Sequence, residues 1–470
     1  MSHATRCLTA PVGALLTPTA APIILVMVLS GSLNLVDVLF LGRVAGPGAV
    51  AAVSAIFPLT AACIAMSAMV GSGMASLLAR RLGAGATDDA RALFASAHGL
   101  ALTLGLTLAL TLALTLGLAL IAGVALAGPA LTLAAADGDP AVAAMAHRYL
   151  SITIGAAPVM FWLGLQVDAL RSEGRAPLMA GLGVLVTLAN IAFNYVLIVR
   201  LDMGVAGSAW GTVAAQALAL GLGLLARGRM DTPLSLAAIV AHRWWGGWPR
   251  ILALGAPLSL SFLGIALVAS VIIMALQQTA GPDYVPKVAA YGLITRLIGF
   301  AFLPLMGLAQ AMQAVVGNNL GAGLTTRSDR ALALTLLAAL VYCCTVQAGF
   351  MIFAPRIGAV FVDDPAIARD LAAILRPMVL LYALSGPTLV LALYFQSVGQ
   401  PGRAALLTLS KPYVLQPPLI LGLAALSGDR GIWFASPISE ALLALVTLVI
   451  WSRVRRPGQA GFGLAGGAGA

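Results

Sequence analysis

Residues 93–127 read LFASAHGLALTLGLTLALTLALTLGLALIAGVALA, thirty-five positions with no acidic residue, lysine or arginine. A helix needs about 20 apolar residues to cross about 30 Å of hydrocarbon, so this run spans a bilayer with length to spare. Eleven more apolar runs flank it, near 14–41, 49–79, 141–167, 178–199, 204–226, 251–278, 288–316, 331–353, 371–395, 404–426 and 432–451. Composition agrees. Apolar residues make up 61% of the 470 and charged residues 9%, against about 25% charged in a soluble domain. With mean hydropathy at +1.01, too few charges exist to coat a soluble particle. Disorder is excluded because disordered chains are poor in apolar residues. A membrane barrel is excluded because it needs short alternating strands. The expected fold is an all-α integral membrane protein of twelve transmembrane helices in two pseudo-symmetric six-helix lobes.

The net charge of +10 comes from 26 basic and 16 acidic residues. The basic residues lie dispersed between apolar runs, which is the pattern of membrane loops and excludes a nucleic-acid partner. Only Lys287 and Lys411 are lysines; the other 24 are arginines. The cysteines Cys7, Cys63, Cys343 and Cys344 form no CxxC, and the four histidines are scattered. Neither a disulfide framework nor a zinc site is expected, and no cofactor. If the N-terminus is cytoplasmic, sixteen basic residues fall on the cytoplasmic side and eight on the other, so both termini are placed inside.

The longest polar interruption carries Arg227, Arg229, Asp231, His242, Arg243, Trp244, Trp245, Trp248 and Arg250. Arginine with tryptophan suits a segment lying at the membrane surface. The expected organisation is an N-lobe over 1–230, an interfacial linker over 231–250, a C-lobe over 251–456 and a flexible Gly/Ala-rich tail over 457–470. The halves echo each other. Leu82-Gly83-Ala84-Gly85 closes run two and Leu320-Gly321-Ala322-Gly323 closes run eight; Ser172-Glu173-Gly174 ends run four and Ser397-Val398-Gly399 ends run ten. Six spans per half give repeats of one orientation, related by an axis along the membrane normal. Gly83, Gly85, Gly321 and Gly323 are expected as helix C-caps in the left-handed conformation.

Further motifs recur in order. Run one exits through Leu35-Val36-Asp37-Val38-Leu39-Phe40-Leu41-Gly42-Arg43. Runs five and six hold Asn190-Ile191-Ala192-Phe193-Asn194-Tyr195, Gly204-Val205-Ala206-Gly207-Ser208-Ala209 and Thr212. Run eight ends Gln313-Ala314-Val315-Val316-Gly317-Asn318-Asn319, and run twelve opens Gly431-Ile432-Trp433 before Pro437-Ile438-Ser439-Glu440. Over about 14–450 this resembles the multidrug and toxic compound extrusion (MATE) family of cation-coupled exporters. The resemblance implies a bacterial inner-membrane protein, acting as a monomer, that exports organic and often cationic compounds by alternating access. The exchanged ion is H+ or Na+.

Asp37 is the most informative residue. An ionised carboxylate inside an apolar run costs at least about 2.5–3.5 kcal/mol, so its charge calls for a proton, a metal cation, a substrate cation or the nearby Arg43. Asn190 and Asn194 share a helix face at i, i+4, which suits interhelical hydrogen bonding or ion ligation. The resemblance assigns Asp37, Asn190, Asn194 and Thr212 to an N-lobe cation and proton site. Some relatives carry a carboxylate where Asn194 stands. One formal charge instead of two favours H+ over Na+, although amide and hydroxyl oxygens remain for a hard cation. No acid stands in run seven from Pro257 to Ala275, nor in run ten after Asp370, so a C-lobe site cannot be carried over. Glu440 is the one deep acid of the second half. Gln166, Asp168, Arg296, Gln310, Gln313 and Glu440 are candidates for the substrate pathway. No DDxxD, HxxxxD or HExxH motif supports an enzyme, and no filter segment supports a channel. The rival is a flippase for a lipid-linked saccharide, which would need several cleft arginines for a pyrophosphate; Arg296 alone is available.

Overall fold

The computed structural model describes residues 8–41, 44, 48–49, 52–53, 56–122, 140–361 and 365–454; the side chains of 34–40, 57–58, 111–122, 359–361, 365–368 and 454 are excepted. No strand occurs among the described residues. Lipid offers no partner to a backbone N–H or C=O, and a helix satisfies both within itself.

The helices follow the apolar runs. In order they are α1 (Val12–Phe40), α2 (Phe57–Gly83), α3 (Thr87–Ala122), α4 (Pro140–Gly155), α5 (Ala157–Ser172), α6 (Ala176–Asn194) and α7 (Gly204–Arg229). A short α8 (Leu236–Ala241) precedes α9 (Trp248–Thr279), α10 (Tyr284–Gly321), α11 (Thr325–Phe361), α12 (Pro365–Met378) and α13 (Tyr382–Ser397). The chain closes with α14 (Pro401–Leu409), α15 (Gln416–Ser427), α16 (Asp429–Ile432) and α17 (Ala435–Val454). A turn of π-helix follows α6 at Tyr195–Arg200, and another joins α14 to α15 at Ser410–Leu415. Nine spans are single continuous stretches long and apolar enough to cross a membrane, and two bent pairs add two more among the described residues. Run eleven is covered by α14, its π turn and α15, which gives each of the twelve runs its helix. The tail over 457–470 lies outside the described residues.

The chain divides into two compact units, Leu25–Gly255 and Met1–Ile24 with Ala256–Ala470. The boundary falls inside α1 and inside α9. In the first unit, α9 starts in backbone contact with α2: a Cβ on Gly255 would stand 1.7 Å from Met69 O, and one on Gly73 2.0 Å from Ile251 O. Small residues permit this approach, which holds 248–255 in that unit. The segment expected as a linker is docked there too. Arg91 Nε donates to Pro233 O at 3.1 Å, Trp248 Nε1 to Ser96 O at 3.1 Å and Trp244 Nε1 to Ile239 O at 2.8 Å. In the second unit, Arg327 Nη2 donates to Ala10 O at 2.6 Å and Gly307 accepts the backbone of Ile24, which ties the first turns of α1 to α10 and α11.

Each unit repeats the same punctuation. The α4–α5 pair bends by 50° ahead of Pro158, and the α12–α13 pair bends by 50° after Pro377; proline removes a backbone donor and breaks the ladder. Gly85 and Gly323 have φ of 72° and 75°, and Gly174 and Gly399 of 76° and 82°. After each glycine the next N–H reaches back five positions: Ala86 to Arg81 O, Leu324 to Asn319 O, Arg175 to Leu170 O and Gln400 to Phe395 O, at 2.8–3.0 Å. This is the Schellman closure. Gly83 and Gly321, expected to be left-handed as well, are the last helical residues instead. One residue per turn bears the positive φ.

These glycines separate two costs. A Cβ on Gly85 or Gly323 meets nothing within 4 Å, so Gly85→Ala and Gly323→Ala should each cost only the left-handed strain, about 1–2 kcal/mol. Gly73→Ala collides with backbone and should cost more. Thermal unfolding in detergent checks the order; equal losses would contradict the packing at Gly73.

Candidate functional site

The first unit holds a polar chain on α6 and α7. Asn190 and Asn194 are buried, at 1% and 0% exposure, and the i, i+4 spacing puts their amides one above the other. Asn194 Nδ2 donates to Asn190 Oδ1 at 2.9 Å, Asn190 Nδ2 to Thr212 Oγ1 at 2.9 Å, and Thr212 Oγ1 to Ser208 O at 3.1 Å. Every donor points the same way along the chain. Gly211 makes room for it, because a Cβ there would fall 2.1 Å from Asn194 Oδ1. The π turn begins directly after Asn194, and π turns often accompany functional sites. Asp37 lies on α1 in the same unit; its side chain is outside the described residues.

A second, ionic network crosses the other end of α7. Arg227, counted from sequence among the loop arginines, is 1% exposed. Its Nε donates to Gln166 Oε1 at 2.6 Å; its Nη1 donates to Glu173 Oε2 at 3.2 Å and to Leu234 O at 2.9 Å. The guanidinium lies 5.1 Å over the Phe94 ring, a cation–π arrangement. Gln166 Nε2 meets His98 Nε2 at 2.8 Å, and His98 Nδ1 meets Phe94 O at 2.7 Å. A carbonyl only accepts, so Nδ1 carries the hydrogen and Nε2 accepts from Gln166. That leaves Gln166 Oε1 for Arg227. Thr232 Oγ1 donates to Glu173. The network joins α3, α5, α7 and the 231–235 segment. Gln166, expected on the pathway, is a connector here at 1% exposure. Asp168 pairs with Arg171 at 2.8 Å, and Gly71 leaves space for its Oδ2.

In the second unit Glu440 is 4% exposed. It accepts from Ser385 Oγ and pairs with Lys411 Nζ on the π turn. Arg296 is exposed. Gln313 is buried, and its Nε2 has no hydrogen-bond partner among the described residues; Gln310 is half-buried. A cavity of about 630 Å³ opens near Asp283, Lys287, Asp370, Asp429 and Trp433, where Lys287 bridges Asp283 and Asp429. No three His, Cys, Asp or Glu side chains converge on a metal position among the described residues.

The structure therefore brings Asn190, Asn194 and Thr212 together. Gln166 bonds to His98 and Arg227, Asp168 pairs with Arg171, and Glu440 pairs with Lys411. Sequence reading missed Arg227, Glu173 and His98 as one assembly. Their signal was a histidine inside run three and an arginine at the end of run six, with nothing to pair them.

The MatE family model matches residues 22–196 and 257–420. An FAD transporter of Shewanella oneidensis is 25% identical over 465 residues, covering 96% of this chain and 97% of the relative. The multidrug export protein MepA of Staphylococcus aureus is 23% identical and covers 91% of each. A solved MATE structure in the straight conformation superposes with a TM-score of 0.84 at 23% identity, over 96% of this chain and 97% of the other.

Removing one member of a buried ion pair strands the other, at about 3–5 kcal/mol. Arg227→Leu should therefore destabilise the protein strongly, while Arg227→Leu with Glu173→Leu should recover most of the loss. Thermal unfolding of the single and double variants reads this. A double variant no more stable than the single would show that Glu173 is not the partner that matters.

Proposed function

This chain belongs to the MatE family, and on that premise we propose that it is a secondary active exporter that exchanges organic, often cationic, compounds for protons by alternating access. Members of the family are transporters, so the chain is a multi-pass membrane transporter and not an enzyme. MepA, by its name, exports multiple drugs, and the same substrate class is proposed here.

The polar chain in the first unit carries the choice of ion. Asn190 Oδ1 already takes an N–H from Asn194, and Thr212 Oγ1 takes one from Asn190. A sodium ion would have to share those two oxygens with their N–H donors. A proton on the Asp37 carboxylate uses neither oxygen. Asn194 in place of a carboxylate leaves the site one formal charge, which a single proton cancels. The driving force is adequate. For an exchange that moves one net charge, 100 mV supplies about 2.3 kcal/mol and each pH unit about 1.36 kcal/mol, enough together for a concentration ratio of several hundred; a one-for-one swap of a proton for a monocation draws on the pH term alone. The arginine asymmetry supports a cytoplasmic location for both termini, and one chain carries both units of the fold.

Two expected outcomes test this. Asp37→Asn should insert normally yet lose pH-driven uptake of ethidium into inverted vesicles, while Thr212→Ala, which removes no charge, should be milder; wild-type rates for Asp37→Asn would move the coupling elsewhere. In a Cys344→Ser background, Thr87→Cys and Thr326→Cys, both at exposed positions, should react with an impermeant maleimide only from the cytoplasm. Labelling from outside would reverse the topology.

A further inference from the structure

The cavity of about 630 Å³ in the second unit lies where α9 turns into α10 and where α15 turns into α16. The arginine asymmetry puts this end of the unit outside. Its volume suits a small-molecule site, and its walls carry opposite charges that do not cancel.

One wall is negative. Asp283, Asp370 and Asp429 line it with a single lysine, Lys287, which reaches Asp283 at 3.4 Å and Asp429 at 2.5 Å. Asp370 is left over. It is half-buried, and no donor reaches its carboxylate among the described residues. Lys287 and Arg369 act on it from a distance, and Asp283 and Asp429 oppose them. The other wall is positive. Arg376 gives its Nε to Met351 O at 3.2 Å and makes no ion pair among the described residues. Arg430 is exposed, with no acceptor among the described residues. Asp370 and Arg376 stand six positions apart on α12, about 9 Å along its axis, and do not pair with each other.

The surroundings are those of a membrane surface. Two large apolar side chains of the lining, Phe434 and Leu380, are 47% and 41% exposed. A second cavity of about 430 Å³ shares Ala373 and Arg376 with the first, and Pro355, Ala372 and Arg369 complete it. Just ahead of Pro355 on α11, Ile352 and Phe353 are 67% and 46% exposed. Helix α12 is amphipathic: Leu371, Ile374 and Leu375 are buried, whereas Arg369 and Arg376 are exposed. Arginines on such a helix lay their stems on apolar surface and reach the phosphate level of a bilayer.

We propose that this cavity binds the headgroup of a phosphatidylethanolamine molecule from the leaflet on that side. The primary ammonium donates to Asp370, which has no other donor. The phosphate accepts from Arg376, with Arg430 as the second cation of the wall. The acyl chains leave through the second cavity, past Ala372 and Pro355, and along Ile352 and Phe353 into the bilayer. Each part of the lipid meets a group that lacks a partner within the protein. An ammonium brings three N–H donors to a carboxylate, and a guanidinium fork matches a phosphate. Phosphatidylglycerol offers the phosphate without the ammonium. Phosphatidylcholine offers a cation without N–H donors. A free organic cation would satisfy Asp370 and leave both arginines unused.

The test uses the full-length protein in detergent. Dioleoyl lipids are added one at a time, and bound lipid is counted by native mass spectrometry. One phosphatidylethanolamine should bind about tenfold more tightly than phosphatidylglycerol or phosphatidylcholine, the worth of one charge-assisted hydrogen bond. Asp370→Asn should bring phosphatidylethanolamine down to the level of phosphatidylglycerol. Arg376→Gln should weaken both about tenfold. A second readout needs no variant. Phosphatidylethanolamine should raise the midpoint of thermal unfolding of the wild-type protein, and glycerophosphoethanolamine, which has the headgroup and no chains, should raise it far less at equal concentration. Equal binding of phosphatidylethanolamine and phosphatidylglycerol, or a preference that survives Asp370→Asn, overturns the site. An equal shift from glycerophosphoethanolamine overturns the assignment to a lipid.

Discussion

A charge carried into hydrocarbon must be cancelled by something beside it, and the architecture of each unit follows from that rule. In the first unit the cancelling is done by Glu173 for Arg227 and by Arg171 for Asp168. In the second it is done by Lys411 for Glu440. Such pairs contribute little net stability, because desolvation offsets most of the attraction, but breaking one is expensive. They fix which helices belong together. Arg227 alone links α7 to α5, to the turn after α5 and to Leu234. That arrangement makes the 231–250 segment part of the first unit.

The repeat is a second consequence of economy. Two units share the bend in runs four and ten and the left-handed glycines after runs two, four, eight and ten. The apolar surface between these marks is interchangeable Ala, Leu and Val. Proline and glycine are not interchangeable, since each meets a backbone demand that no other residue meets. The polar contents of the units have diverged, amides and a hydroxyl in one and an ion pair in the other, while the helices that carry them correspond.

What the sequence disclosed follows the range of the forces involved. Membrane spans are local and additive, so twelve runs were readable, as was the 190/194 face. Gly85, Gly174, Gly323 and Gly399 were readable as paired run-ends; which of two nearby glycines turned left-handed was not, because that depends on where the last helical bond closes. The position of the unit boundary was hidden as well. It depends on Gly73 and Gly255 admitting backbone against backbone, a contact between residues 182 positions apart. Arg227 looked like one more loop arginine because nothing local marks its partners, which lie 54 and 61 positions earlier. Lys411 stood out only by rarity.

Coupling to protons rests on Asn190 Oδ1 and Thr212 Oγ1 being engaged with N–H donors and on the single formal charge left at the first-unit site where Asn194 stands in place of a carboxylate. The most direct measurement is transport by the purified protein in sealed vesicles, with pH and sodium gradients imposed separately and tetraphenylphosphonium and FAD compared as cargo. The account predicts that an inward proton gradient drives tetraphenylphosphonium out with sodium absent, and that a sodium gradient at uniform pH does not. Transport that follows sodium alone, or that moves FAD and leaves the cation behind, would contradict it.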